Sequence, residues 1–210
     1  MGLDNLLFSI TDISKSLVDV LRSGLGVAYL ILFNVIGVVS IFLQFMIFQM
    51  ENKKKIVFVG ILSDVGWLLY FALQGDFISG TANIIGIMSK TVIMLQDKHK
   101  WAESQIWKFF FVGFAAMFFV LTFQVWTDVF ALLACSLSIL AFFMTKENNI
   151  RKTAFFAFCA FACNSISKRY IVALIADLTA LISIITSLMR YSKVDNNEKQ
   201  IKINTKSGGK

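Results

Sequence analysis

The stretch WLLYFALQGDFISGTAN, residues 67–83, decides the fold. It is an apolar, aromatic run that stops at Gly75-Asp76 and resumes at Phe77, with a full amide, Asn83, about two turns into the second run. Glycine beside aspartate is turn chemistry: glycine reaches backbone angles closed to other residues, and a short acid bonds its own backbone. Apolar character extends back to residue 56 and on to residue 96. Each arm therefore has about the 20 residues that an α-helix needs to cross a hydrocarbon layer roughly 30 Å thick. The stretch predicts two membrane helices joined by a turn outside the bilayer.

The pattern recurs along the chain. Seven apolar stretches can be drawn, at roughly 25–49, 56–74, 77–96, 106–125, 128–145, 152–167 and 170–190. The 210 residues are 57 % hydrophobic with a mean hydropathy of +0.73, 22 Phe and no Pro, too apolar for a soluble domain and without room for one. The sixth stretch is the shortest and crosses only if it stands nearly upright or if Lys152 and Lys168 snorkel outward. Trp101, Trp107 and Trp126 flank the fourth, where aromatic rings gather at membrane interfaces. Cys135, Cys159 and Cys163 lie inside apolar runs and read as small buried hydrophobes, with neither disulfide nor metal spacing.

The first 23 residues lack the charge pattern of a cleaved leader; Leu3, Leu6, Leu7, Ile10, Ile13, Leu17 and Leu21 recur at helical spacing instead. The expected layout is an interfacial amphipathic helix at 1–23, a triple-helix unit at 24–100, a linking transmembrane helix at 101–126, a second triple-helix unit at 127–191 and a disordered basic tail at 192–210. With seven crossings one face receives fifteen Lys/Arg and the other only Lys15, Arg22, Lys168 and Arg169. The positive-inside rule then puts the N-terminus outside and the C-terminus in the cytoplasm. Topology and anionic lipid account for the net charge of +7, and no nucleic-acid partner is expected.

Sliding the chain by 94 residues lays the first three stretches on the last three, so that FQMENKKKI (48–56) falls on FFMTKENNI (142–150) and Asn83 on Asp177. Identity across this register is slight; the span spacing carries it. A unit of three helices reverses the chain, and one extra crossing restores the direction for a parallel second copy. This 3+1+3 plan is the arrangement of SWEET-type facilitators, whose binding site lies between repeats near the bilayer midplane.

The residues QMENKKKIVFVGILSDVGWLLYFALQGDFISGTANIIGIMSKTVIMLQDKHKWAE (49–103) and FFAFCAFACNSISKRYIVALIADLTALISIITSLMRY (155–191) resemble the two halves of the YgjV-type bacterial inner membrane proteins. That resemblance implies a bacterial inner membrane location and a distant kinship with SWEET, PQ-loop and PnuC-type transporters, with no activity attached to the family itself. Leu43 precedes Gln44 where PQ-loop proteins have Pro-Gln, and the chain has no proline hinges. Bending would fall to Gly60, Gly66, Gly80 or Gly86.

Ionisable groups inside a bilayer cost roughly 2.5 to 3.5 kcal/mol on insertion scales, so they face a bundle interior or a hydrated cavity. Asn83 and Asp177 sit about 9 Å from the outer ends of their helices, at about 1.5 Å of rise per residue. They can bind a polar solute, the carboxylate carrying a proton, or they can simply tie helices together. Lys90, seven residues beyond Asn83, either pairs internally or snorkels. Asp64, with Trp67 and Phe71 on its face, reads as internal and paired, the rings as packing or as a ligand wall. Asn164 and Tyr70 occupy equivalent positions and are candidate gate residues.

His99 is the sole histidine, and the chain carries no Gly-rich phosphate loop or nucleophile elbow. Enzyme chemistry, a metal and a cofactor are not expected. The expectation is a facilitator or proton-linked carrier of a small polar solute of the sugar, nucleoside or vitamin class. The alternative is a non-transporting membrane receptor or partner protein of the same fold; a homo-oligomer is compatible with either.

Overall fold

The computed structural model of the chain describes residues 16, 18–75, 77–123 and 126–207. Among them every regular element is helical: α1 Val27–Gln49, α2 Lys53–Gln74, α3 Phe77–Leu95, a 3-10 turn Lys100–Glu103, α4 Ile106–Thr122, α5 Asp128–Phe142, α6 Glu147–Lys168 and α7 Ile171–Ser207. Of the amphipathic helix expected at 1–23, residues 1–15 and 17 lie outside the described residues; residue 16 and residues 18–25 are helical. Asp76 of the opening turn also lies outside them.

Three helices are long and apolar enough to cross a membrane, Val27–Gln49, Lys53–Gln74 and Ile171–Tyr191; Ser79–Leu95, Ile106–Leu121 and Asp128–Phe142 are shorter apolar helices. Helix α6 belongs to neither set, because Asn148, Arg151, Lys152, Asn164, Ser165 and Lys168 dilute its apolar character. Its contribution is smallness: buried Ala154, Ala157, Ala160 and Ala162 let α5 and α7 pack on either side of it.

Local chemistry sets the helix ends. Asn52 caps α2 by accepting the Lys54 N–H at 2.8 Å. Gly75, at φ 73°, closes α2 in the left-handed region, as the Gly-Asp pair predicts. At the end of α6 the same conformation, φ 58°, is held by Arg169, a residue with a Cβ. Helix α7 runs to Ser207 where a disordered tail was expected at 192–210. No proline follows it, and the first glycines after Gly113 are Gly208 and Gly209, so the segment lacks a helix breaker.

Each helix packs on its chain neighbours, and α1 also packs on α7. Cross-links pin both ends of the bundle. At the end rich in lysine, Lys54 pairs with Asp97 at 2.6 Å, which holds the exposed Asp97 carboxyl below its ordinary range. Arg151, 1 % exposed, donates to the Phe48 carbonyl at 3.3 Å and the Met50 carbonyl at 2.7 Å, satisfying the last carbonyls of α1, and lies 4.1 Å from the Tyr191 ring centre. At the opposite end the Tyr29 hydroxyl donates to the Leu73 carbonyl, and Lys168 pairs with Asp128 at 2.7 Å. The lysine-rich half is filled by a core that includes Phe48, Ile56, Ile93, Phe142, Ile150 and Ile184.

Arg151→Ala should lower the stability of the detergent-solubilised protein by about 2 kcal/mol, from the loss of charged hydrogen bonds to two buried carbonyls. Thermal unfolding should show a lower melting temperature for Arg151→Ala and none for the exposed neighbour Lys152→Ala. Arg169→Gly should raise the melting temperature, by relief of about 1 kcal/mol of left-handed strain.

Candidate functional site: a polar cavity between the helices

All seven helices contribute side chains to a cavity of about 290 Å³. Its polar lining comes from residues that each helix turns inward: Gln44 on α1, Ser63 and Asp64 on α2, Asn83, Ser89 and Lys90 on α3, Ser138 on α5, Asn164 and Ser165 on α6 and Asp177 on α7. Aromatic rings fill the spaces between them, including Trp67, Phe71, Phe158 and Phe161. Toward the lysine-rich end the lining stops on Phe48 and Phe142, which belong to the sealed core. Toward the other end it includes Ser79, Asp128, Lys168 and Tyr170.

One ion pair dominates the wall made by α2 and α3. Lys90 Nζ lies 2.5 Å from Asp64 Oδ2 and 4.4 Å from the centre of the Phe142 ring, and the lysine is 5 % exposed. Of the two readings open to Lys90, the internal pair is the one the structure contains. Glycines make room for it. A Cβ on Gly60 would come within 3.0 Å of the Lys90 stem, and one on Gly86 would collide with the Asp64 carboxylate. Two helices that bury opposite charges must approach closely enough for direct contact, and the glycine notches allow it.

Asn83 and Asp177 line the same cavity from α3 and α7. They do not bond to each other. The Asn83 amide donates to the Ser79 carbonyl of its own helix at 3.0 Å, and Asp177 Oδ2 accepts from the Ser165 hydroxyl at 2.7 Å. Trp67 is both packing and wall: its Nε1–H donates to Gln44 Oε1 at 2.5 Å, and its ring meets Tyr70 edge-on at 5.4 Å. Asn164 lines the cavity, and its Oδ1 is buried with no hydrogen-bond partner among the described residues. Tyr70 is buried between α1 and α2, stacked on Phe33 at 4.6 Å and against the bare backbone of Gly37, and it is not part of the lining.

Four further residues take part. Gln44 accepts from Trp67 and donates to the Ala176 carbonyl at 3.4 Å, linking α1 to α2 and α7. Ser165 is the hydroxyl that holds Asp177. Asp128 with Lys168 forms an ion pair at the mouth. Gln44 is an amide inside an apolar run and so had a signal in the sequence, whereas the serine has no local signal, since serines in membrane helices commonly bond their own backbone.

A helical bundle of this apolarity, with ion pairs buried inside it, is an integral membrane protein. The chain matches the Imp-YgjV family of bacterial inner membrane proteins over residues 31–195 and belongs to that family. The matched region contains every residue that lines the cavity. No curated protein and no solved structure matches the chain.

Removing one partner of a buried ion pair strands the other, so Lys90→Met should destabilise the protein by about 3 kcal/mol or more, and Asp64→Leu should do likewise. The double variant Asp64→Leu with Lys90→Met should recover most of the loss. Thermal unfolding of the four proteins checks this as a double-mutant cycle; equal and additive losses would contradict the pairing.

Proposed function

We propose that the protein is a carrier of a small polar solute that binds in the central cavity and passes by alternating access between two triple-helix units. The observation that carries the reading is the cavity itself, polar at mid-depth, lined from every helix and closed on one side by buried aromatic residues. Its volume of about 290 Å³ suits a small metabolite, at the lower edge of the usual range for ligand pockets, about 300 to 1,000 Å³.

The 94-residue register supports the two-unit reading. Lining residues fall on lining residues across it: Gln44 on Ser138, Phe48 on Phe142, Asp64 on Phe158, Trp67 on Phe161 and Asn83 on Asp177. The packing order has the same sense, α1 on α2 on α3 in one unit and α5 on α6 on α7 in the other, with α4 between them and α1 on α7 completing the circuit. Both observations support the reading as a 3+1+3 plan with parallel repeats, as in SWEET-type facilitators. The unequal lysine counts put the end that carries Lys53, Lys54 and Lys55 in the cytoplasm, with the N-terminus outside. The side sealed by Phe48 and Phe142 is then the inner one, and the arrangement corresponds to an outward-facing state.

Within this reading Asn83, Asp177 and Asn164 hold the solute, Trp67 and its aromatic neighbours form the wall, and the Asp64–Lys90 pair fixes one side of the site. Proteoliposomes that contain the full chain should take up a member of a panel of sugars, nucleosides, vitamins and organic amines above protein-free liposomes. Asp177→Asn and Asn83→Ala should each lower that uptake about tenfold or more without lowering the melting temperature. Folded protein that moves no member of the panel, together with a cellular phenotype untouched by these variants, would instead identify a non-transporting receptor or partner.

A further inference from the structure

The charged side chains that line the cavity do not balance. They are Asp64, Lys90, Asp128, Lys168 and Asp177. Lys90 is committed to Asp64 at 2.5 Å and Lys168 to Asp128 at 2.7 Å. Asp177, 7 % exposed, has a hydroxyl at 2.7 Å and no cation within ion-pair distance among the described residues. One Ser165 hydrogen bond to Oδ2 cannot replace the hydration of a carboxylate at this depth. Next to Ser165, the buried Oδ1 of Asn164 is a second acceptor without a donor. The cavity therefore presents two acceptor groups, one of them a carboxyl, in a setting walled by Trp67, Phe71, Phe158 and Phe161. Aromatic faces carry negative potential and attract cations, more strongly once water is excluded.

The asymmetry between the two halves sharpens this. Across the 94-residue register the Asp64–Lys90 pair falls on Phe158 and Ile184. The half that contains Asp177 thus has an apolar ring and an aliphatic chain where the other half has an ion pair, and the cation that its own unit adds to the lining, Lys168, is paired with Asp128.

We infer that the cavity takes a small organic cation, an amine or a cationic heterocycle with at least one N–H or other donor, whose positive charge sits against Asp177 with a donor toward Asn164. The inference rests on the carrier reading and adds the charge of the solute. A bound monocation completes the pairing that the fold leaves open, a neutral polyol leaves the carboxylate uncompensated, and an anion adds like charge beside it.

The test uses the full chain in lipid nanodiscs and three probes of one shape and three charges: phenethylammonium, 2-phenylethanol and phenylacetate. Calorimetric titration, corrected against protein-free nanodiscs, should show phenethylammonium binding at least tenfold more tightly than 2-phenylethanol, and phenylacetate more weakly than either. Asp177→Asn should abolish the tenfold preference, and Asp177→Glu should retain it, which guards against a folding defect. Equal binding of the cation and the alcohol, or a preference that survives Asp177→Asn, overturns the assignment. If none of the probes binds while proteoliposomes accumulate a neutral polyol, the cation is refuted and the carrier stands. If no probe binds and nothing on the uptake panel moves, both are refuted.

Discussion

The Asp64–Lys90 pair is the constraint around which the rest of the structure is arranged. Neither charge could be left alone at membrane depth, and a pair repays its desolvation only in direct contact with its remaining polarity shielded. That requirement explains the glycines at 60 and 86, where any side chain would press on the lysine stem or the carboxylate. It explains the position of Phe142, whose ring shields the ammonium from the far side. It also fixes the relation of α2 to α3, and so the wall that carries Trp67 and Asn83 toward the cavity.

The pair divides the cavity from the plug. Beyond Lys90, toward the lysine-rich end, the interior is mostly aliphatic and aromatic, and its polar groups Arg151 and Ser183 are bonded to α1 carbonyls rather than lining the cavity. On the other side of Lys90 lie the lining residues Asn83, Asn164, Ser165, Asp128 and Asp177. A bundle packed uniformly with apolar residues would gain more dispersion and pay less desolvation. Retaining Gln44, Asn83, Asn164 and Asp177 at this level costs stability, which is the physical reason for proposing a polar solute there.

Much of the helical layout was legible in the sequence, because stretches of about 20 apolar residues without proline have few alternatives in a bilayer. The Gly75 turn and the choice of Asp64, Asn83, Lys90 and Asp177 as inward-facing residues followed from turn chemistry and from the cost of buried polarity. Which helix meets which did not follow. In a membrane bundle both the lipid side and the packed side of a helix are apolar, so hydrophobic patterning does not give its rotation; α2 turns Phe58, Leu62 and Leu69 outward and Ile56, Val57 and Trp67 inward. The register of Tyr70 with Asn164 says nothing of its packing, which the missing side chain of Gly37, 33 positions away, sets by admitting the ring to the α1–α2 interface. Lys90 and Asp64 are 26 positions apart on different helices, and only their contact distance distinguishes a pair from two separate charges.

The central claim is that water and solute reach the polar cavity from the end opposite Lys53, Lys54 and Lys55, and that the aromatic plug closes the other end. Thiol accessibility tests it most directly. With Cys135, Cys159 and Cys163 replaced by alanine, single variants Ser79→Cys and Ala173→Cys in the lining and Ile184→Cys in the plug can be exposed to a charged, membrane-impermeant thiol reagent in right-side-out and inside-out vesicles. The account predicts labelling of the two lining positions from the outer side alone and no labelling of Ile184→Cys from either side. Lining positions that stay unlabelled from both sides, or that label from the lysine-rich side, would contradict it.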